Sequence, residues 1–179
     1  METYELKVAG VTRQLPIIAI NEQVKIASFV VLGDTALVTA AAPKLAELLP
    51  EVDMLVTAEA KGIPFVHEVS KILQNDRYVV ARKSVKSYME NPIVHKVHSI
   101  TTATPQILCL DQSDIPLIEG KRVALVDDVI STGESIHALE ELVVKAGGNV
   151  VAKAAILAEG DAAERDDIIF LEKLPIFIK

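Results

Sequence analysis

Residues 123–126, Val-Ala-Leu-Val, form an unbroken apolar run that ends in two adjacent acids, Asp127 and Asp128. A strand with one wet face alternates apolar and polar residues. A strand without alternation is covered on both faces, as happens when helices pack on both sides of a parallel sheet. After the acids come small and hydroxylated residues, ISTGES, and then GESIHALEELVVKAGG. That segment puts Ile136, Leu139, Leu142, Val143 and Ala146 on one helical stripe, and Gly147 and Gly148 stop it. A buried strand, a tight loop and an amphipathic helix make up the first part of a βαβ unit.

The rest of the chain keeps this alternation. The first 33 residues read as strands, with YELKV, RQLPIIAI and VKIASFVVL separated by turn residues at Gly10 and Asn21. Asp34 or Thr35 caps a helix over ALVTAAAPKLAELL, in which Pro43 is an awkward interior residue. MLVTA is a buried strand ending in the turn EAKG, and a helix follows near PFVHEVSKIL. RYVVA, then IVHKVHSIT and PQILCLD as a hairpin, then VALVD and NVVAKAAILAE complete the strands, with short runs IIFL and IFI in the tail. The expected fold is α/β, a mostly parallel sheet flanked by helices. One domain over 1–179 is expected, with edge or hood strands in 1–33, a core in 34–160 and C-terminal strands in 161–179.

Net charge is −7, which argues against a general nucleic-acid or membrane-surface binder. No apolar run is long enough to cross a bilayer, and METYELKVAG lacks the pattern of a secretory signal. The single cysteine, Cys109, excludes an internal disulfide and reads as a small core residue in QILCL; a cytoplasmic location is expected.

In open α/β sheets ligands bind beyond the carboxyl ends of the strands, where Asp127 and Asp128 sit. The acids alone are compatible with a chain leaving for solvent, and Ser131 with Glu134 fits a capping box. Together with the loop they suggest more. A helix N-terminus offers free backbone N–H groups and a dipole that favours an anion. Gly133 permits close approach, and Ser131, Thr132 and Ser135 add hydroxyls. The loop lacks the lysine and spacing of a nucleoside-triphosphate loop. Carboxylates touching a phosphate would repel it, but one ribose away they can accept hydrogen bonds from vicinal hydroxyls. A sugar 5-phosphate fits this arrangement.

VALVDDVISTGES resembles the phosphoribosyl-pyrophosphate (PRPP) signature of the type I phosphoribosyltransferases, with Glu134 where many members carry glycine. VTAEAKGIPF resembles the pyrophosphate loop of the adenine and xanthine enzymes, and VVARKSVKSY their basic stretch. VHSITTATPQILCL resembles the hairpin of the mobile active-site loop, and AGGNVVAKAAILAEGD the strand after the signature helix. The resemblance runs from about Asp53 to Asp161.

The resemblance implies the type I phosphoribosyltransferase fold, with a small hood from the N-terminal strands and the tail. It implies a purine phosphoribosyltransferase of nucleotide salvage, with adenine favoured over xanthine or another 6-oxopurine. It gives Asp127 and Asp128 the ribose hydroxyls, and Ser131, Thr132, Gly133, Glu134 and Ser135 the 5-phosphate. Glu59, Ala60, Lys61 and Gly62 take the pyrophosphate, with cations from Arg82, Lys83 and Lys86. Mg²⁺ is implied as a cofactor carried by PRPP rather than by a protein site. A homodimer is expected, in which a basic residue of ARKSVK reaches the neighbouring site.

Residues 84–104 correspond to the lid, with Tyr88, Asn91 and His95 as lid residues. The adenine branch has an acid in this hairpin and the xanthine branch a Lys-Gln-like pair; Ser99–Thr104 reads SITTAT. His95 and His98 have no third ligand and are not read as a metal site, and His67 and His137 have no assigned chemistry. Two alternatives stand beside the enzyme. One is a non-catalytic PRPP-binding regulator on the same fold. The other is a sugar-phosphate enzyme unrelated to PRPP, which leaves EAKG and ARKSVK unexplained.

Overall fold

A computed structural model describes residues 2–97 and 105–179. The chain opens with an antiparallel meander of β1 (Thr3–Val8), β2 (Val11–Ala19) and β3 (Val24–Ala27). The first turn is tight because Ala9 and Gly10 both have positive φ, the geometry that matches strand twist in two-residue hairpins. Helix α1 (Thr35–Leu48) follows with Asp34 as its N-cap. Pro43 lies on its exposed face, so the carbonyl that loses an amide partner faces water.

Next come β4 (Met54–Ala58), α2 (Ile63–Ile72), β5 (Val79–Ala81) and the hairpin β6 (Ile93–Val97) and β7 (Gln106–Leu110). One segment has no counterpart in the sequence reading. A 3-10 turn over Gln112–Asp114 leads into a four-residue helix, α3 (Ile115–Ile118). It is nucleated locally, since Asp111 and Asp114 cap one another reciprocally and Pro116 sits in the first turn. Then follow β8 (Arg122–Ile130), α4 (Glu134–Lys145), β9 (Asn149–Glu159), a 3-10 turn over Gly160–Glu164, β10 (Ile169–Leu174) and β11 (Ile176–Ile178).

The central sheet is parallel throughout, in the order β10-β9-β8-β4-β5. Its residues divide between two cores. Ala124 and Val126 of β8 face α1 and α2, while Val123 and Leu125 face α4. The apolar run of β8 therefore needs no polar face. The tail returns to the first sheet, where β11 pairs antiparallel with β3 to give the order β1-β2-β3-β11. The hood thus draws on both ends of the chain, as expected.

Connectivity places a crevice. From β4 the chain moves through α2 to β5 on one side; from β8 it moves through α4 to β9 on the other. The direction of winding reverses between β4 and β8, and the carboxyl ends of these neighbours diverge there.

Asp34 ties β2 of the first sheet to helix α1. One of its oxygens accepts the Leu37 N–H at 3.1 Å and Arg13 Nη2 at 2.9 Å, and the other accepts Arg13 Nε at 2.7 Å. Arg13 lies on β2, so one carboxylate caps α1 and clamps the hood strand. The Arg13 guanidinium holds this carboxyl below its usual range. Asp34→Ala should lower stability by about 1 kcal/mol through the lost cap, seen as a melting midpoint about 2–4 °C lower at pH 7. Because the folded pKa is depressed, this contribution is complete above the unfolded carboxylate value of about 3.9. It fades as pH falls through the folded value, so the two melting curves should converge in acid.

Candidate functional site

The site is built on the ends of β4 and β8. Strand β8 is longer than the VALVD run suggests, because its pairing with β9 continues as far as Ile130 with Ala158. On its other side β4 pairs only as far as Val56 with Leu125. Asp127 and Asp128 are thus strand residues that extend past one neighbour while still held by the other. The sequence reading placed the strand end at the acids, but backbone pairing with β9 carries the strand beyond them.

Asp128 is buried, with 7% of its surface exposed. Its backbone N–H donates to Asp127 Oδ1 at 2.8 Å. Burial first, and then repulsion from the Asp128 carboxylate, push the Asp127 carboxyl well above its usual range. The Asp128 N–H and the charge of Lys83 pull it part of the way back.

Two cavities meet at Asp127. One, of about 180 Å³, is walled by Ala58, Glu59, Ala60 and Lys61 of the loop after β4, by Lys83, and by Asp127, Asp128 and Ser135. The base of the hairpin closes another side with Val97, Gln106, Ile107 and Leu108. The second, of about 100 Å³, lies in the loop between β8 and α4 and is lined by Ser131, Thr132, Gly133 and Ser135 together with Asp127. Asp127 and Ser135 border both.

The loop after β4 lies tight against the acids. The Glu59–Ala60 peptide bond is cis. Gly62 is packed so closely that a Cβ there would stand 3.1 Å from Asp127 Oδ1 and 2.5 Å from Thr57 Oγ1. Glycine is therefore the residue that lets this loop approach β8. Thr57, absent from the sequence reading, is fully buried, and its hydroxyl has no hydrogen-bond partner among the described residues. Its position in the apolar run MLVTA gave no sign of this.

The phosphate-type loop departs from expectation in one respect. The N-cap of α4 is Gly133, with φ +85°, which has no side chain to cap the helix; Thr132 Oγ1 instead accepts the Glu134 N–H at 3.4 Å. The Ser131–Glu134 capping box does not form. Ser131 Oγ instead donates to Glu159 Oε1 at 3.1 Å, across to the end of β9. A left-handed glycine turns the chain so that the serine faces β9 rather than the first turn of α4. Beyond the Glu134 N–H, the N–H groups of Ser135 and Ile136 have no side-chain partner among the described residues, which suits an incoming anion.

The basic cluster divides. Lys83 reaches the cavity. Arg82 pairs through Nε with Glu59 and donates from Nη1 to Tyr88 Oη at 2.5 Å, bracing the loop from outside. Lys86 Nζ donates to Ser84 Oγ at 2.6 Å. Neither Arg82 nor Lys86 lines the cavity. Backbone bonds between Arg82 and Cys109, at 2.8 and 2.9 Å, tie the segment after β5 to β7. Cys109 is fully buried, as expected. Among the lid residues, Asn91 donates to Gln112 Oε1 at 3.3 Å. His95 docks β6 on α4, with Nε2 at 2.8 Å from Glu141 and Nδ1 at 3.1 Å from Lys145. His98 and the hairpin tip Ser99–Thr104 lie outside the described residues. Among the described residues no three His, Cys, Asp or Glu side chains form a metal cluster, and no helix is long and apolar enough to cross a membrane.

Comparison with known proteins identifies this architecture. The phosphoribosyl transferase domain model matches residues 35–176, leaving out β1–β3 and the N-cap Asp34. A hypoxanthine/guanine phosphoribosyltransferase of Methanococcus voltae is 33% identical over 114 residues, 64% of this chain and 57% of that protein. An adenine phosphoribosyltransferase of Thermosipho africanus is 33% identical over 116 residues, 63% of this chain and 64% of that one. The match thus spans about three fifths of each curated relative. The crystal structure of an adenine phosphoribosyltransferase from Thermoanaerobacter pseudethanolicus shares the fold, with a TM-score of 0.72 at 24% identity over 89% of this chain and 95% of that one. With the domain model matched over most of its length, the chain belongs to the type I phosphoribosyltransferase family.

Proposed function

We propose that this protein transfers the phosphoribosyl group of PRPP to a purine base, releasing pyrophosphate, with adenine as the favoured base. The observation that carries this reading is the position of Asp127 between two cavities, with Asp128 beside it on the wall of the larger of these two, at the point where the sheet reverses its winding. A ribose seated on the acids puts its 5-phosphate toward Ser131–Ser135. Its C1 and the leaving pyrophosphate then lie toward Glu59–Gly62 and Lys83. Family membership and purine-enzyme relatives support the same reading.

The residues then have distinct tasks. Reaction at C1 passes through an oxocarbenium-like centre, so the protein must hold the ring, take up the charge of the leaving group and keep water out. Asp127 and Asp128 present adjacent carboxyl groups whose oxygens accept hydrogen bonds from the two ribose hydroxyls, and a ligand that brings donors relieves the burial that raises the Asp127 pKa. Lys61 and Lys83 supply cations to the departing pyrophosphate. The first turn of α4 anchors the 5-phosphate and fixes the distance to C1. Mg²⁺ would arrive with PRPP, and Asp127 and Asp128 are the carboxylates nearest to help hold it, since among the described residues no third His, Cys, Asp or Glu joins them. When bound, Mg²⁺ would neutralise charge on the pyrophosphate leaving group.

One finding favours a second base class. Relatives named for hypoxanthine and guanine match this chain as strongly as the one named for adenine. Pyrophosphate release with PRPP, Mg²⁺ and single bases separates the readings. Adenine should give the fastest release. Release with hypoxanthine or guanine alone would assign the 6-oxopurine class. PRPP binding without release on any base would make the protein a sensor on this fold.

Asp127 links function to stability. Its folded pKa is raised, so between the unfolded value of about 3.9 and the folded value the native state holds more protons than the unfolded chain. Stability therefore falls as pH rises across that window. Asp127→Asn removes the ionisation and should melt about 2–4 °C above wild type at pH 8 without ligand. The same variant should lose about 100-fold or more in kcat with the accepted base. Lower activity with unchanged or lower thermal stability would contradict the buried-charge account.

A further inference from the structure

The phosphate-type loop has an electrostatic shortfall. None of Ser131–Ser135 carries a positive charge, and Glu134 adds a negative one. Asp127 borders the same cavity, and Glu159 holds Ser131 from behind. A phosphomonoester near pH 7 brings a charge of about −1.5 to −2. The end of one helix supplies only about half a positive charge.

A cation reaches the loop from elsewhere in the chain. Arg165 follows the 3-10 turn Gly160–Glu164, beyond the end of β9. Its Nε and Nη2 donate to the two oxygens of Asp167 at 2.8 and 2.7 Å, a bidentate pair that fixes the plane of the guanidinium. Asp167 is itself braced by Lys153 at 3.2 Å, and Lys153 by Glu140 of α4 at the same distance. The remaining nitrogen, Nη1, points at Gly133, and a Cβ placed on that glycine would collide with it. Among the described residues Nη1 has no hydrogen-bond acceptor.

We infer that Arg165 is a positioning residue for the 5-phosphate, its guanidinium held against Gly133 by Asp167 to give the loop the positive charge that its own residues lack. The inference rests on the phosphoribosyl reading and deepens it. It also explains the build of the loop. The segment after β9 grips the loop twice, with Glu159 at Ser131 and Arg165 at Gly133. Gly133 is required both for its left-handed backbone and for the space that Nη1 fills. A surface arginine with only a covering role would need no bidentate clamp to aim its third nitrogen.

The test uses ribose 5-phosphate, which carries the 5-phosphate without the pyrophosphate. Its binding is measured by calorimetry on wild type, R165Q and R165K, beside steady-state kinetics for PRPP with the accepted base. R165Q should weaken ribose 5-phosphate about tenfold. It should raise KM for PRPP by a similar factor, with kcat within about twofold. R165K should recover part of both losses, since it keeps the charge without the fork. The affinity difference between wild type and R165Q should shrink as salt rises. If wild type binds ribose 5-phosphate and both variants bind it equally well, the role of Arg165 is overturned while the phosphoribosyl reading stands. If wild type binds neither ribose 5-phosphate nor PRPP, the phosphoribosyl reading fails, and this inference fails with it. Should R165Q not fold, R165K decides alone: wild-type affinity and an unchanged KM would overturn the assignment.

Discussion

Two carboxylates on successive residues near the end of a buried strand repel each other, and both are partly withdrawn from water. The surroundings make that arrangement tenable. Strand β9 holds the backbone of Asp127–Ile130 on one side, so the acids cannot swing out to solvent as a frayed strand end would. On the other side β4 has stopped pairing, and the loop over Glu59–Gly62 lies against them through a glycine. The backbone N–H of Asp128 and the charge of Lys83 relieve part of the cost. What remains is a pair that gains most when a ligand supplies donors or positive charge. In the proposed reading, the electrostatic tension at this pair is relieved by the hydroxyls of a bound sugar.

That constraint determines where the other parts must lie. The pair sits where the winding reverses, so loops from two separate crossover units converge on it: one after β4, one after β8. A single crossover could supply an anion cradle or a cationic wall, but not both on opposite sides of one sugar. The hairpin base adds a third wall, and its backbone bonds through Cys109 to Arg82 tie it to the segment that carries Lys83. Arg82 braces this corner through Glu59 and Tyr88. Three loops are thus mechanically linked around a cavity although they are distant in sequence.

The sequence revealed whatever was governed by local pattern. VALV without alternation announced a strand covered on both faces, and Ala124 and Val126 do face one core while Val123 and Leu125 face the other. The stripe on α4 and the Asp34 cap were legible for the same reason, since each lies within one turn or one period. What stayed hidden depended on partners far along the chain. The pairing of β9 lengthened β8 past its acids. Glu159 took Ser131 away from the capping box that its neighbours suggested. The short helix α3 was too brief for periodicity to show, although its Asp111–Asp114 cap is written in the sequence. Lys83 and Lys86 look alike in ARKSVK, yet only Lys83 reaches the cavity, because Lys86 turns back to Ser84.

The hood follows a different logic from the core. Ile18 of β2 and Ile176 of β11 both align with Ile26 of β3, so a row of isoleucines crosses the sheet on one face. At the end of that row the Ile176 side chain lies over Gly160, directly after the end of β9. Phe177, which points the other way, packs edge-on against Tyr4 in the core. Alternation along β11 therefore sends Phe177 inward against Tyr4 and Ile176 outward beside Gly160. The result is an apolar row on one face of the hood, with Ile18 and Ile176 both partly exposed. Its shape can change by exchange of one branched side chain for another while the acids, loops and cations remain untouched. This apolar row is set by pairing between the two ends of the chain and by no local motif. That is why the acids and loops after β4 and β8 were readable from motif, while the hood sheet emerges only from the long-range pairing of β3 with β11.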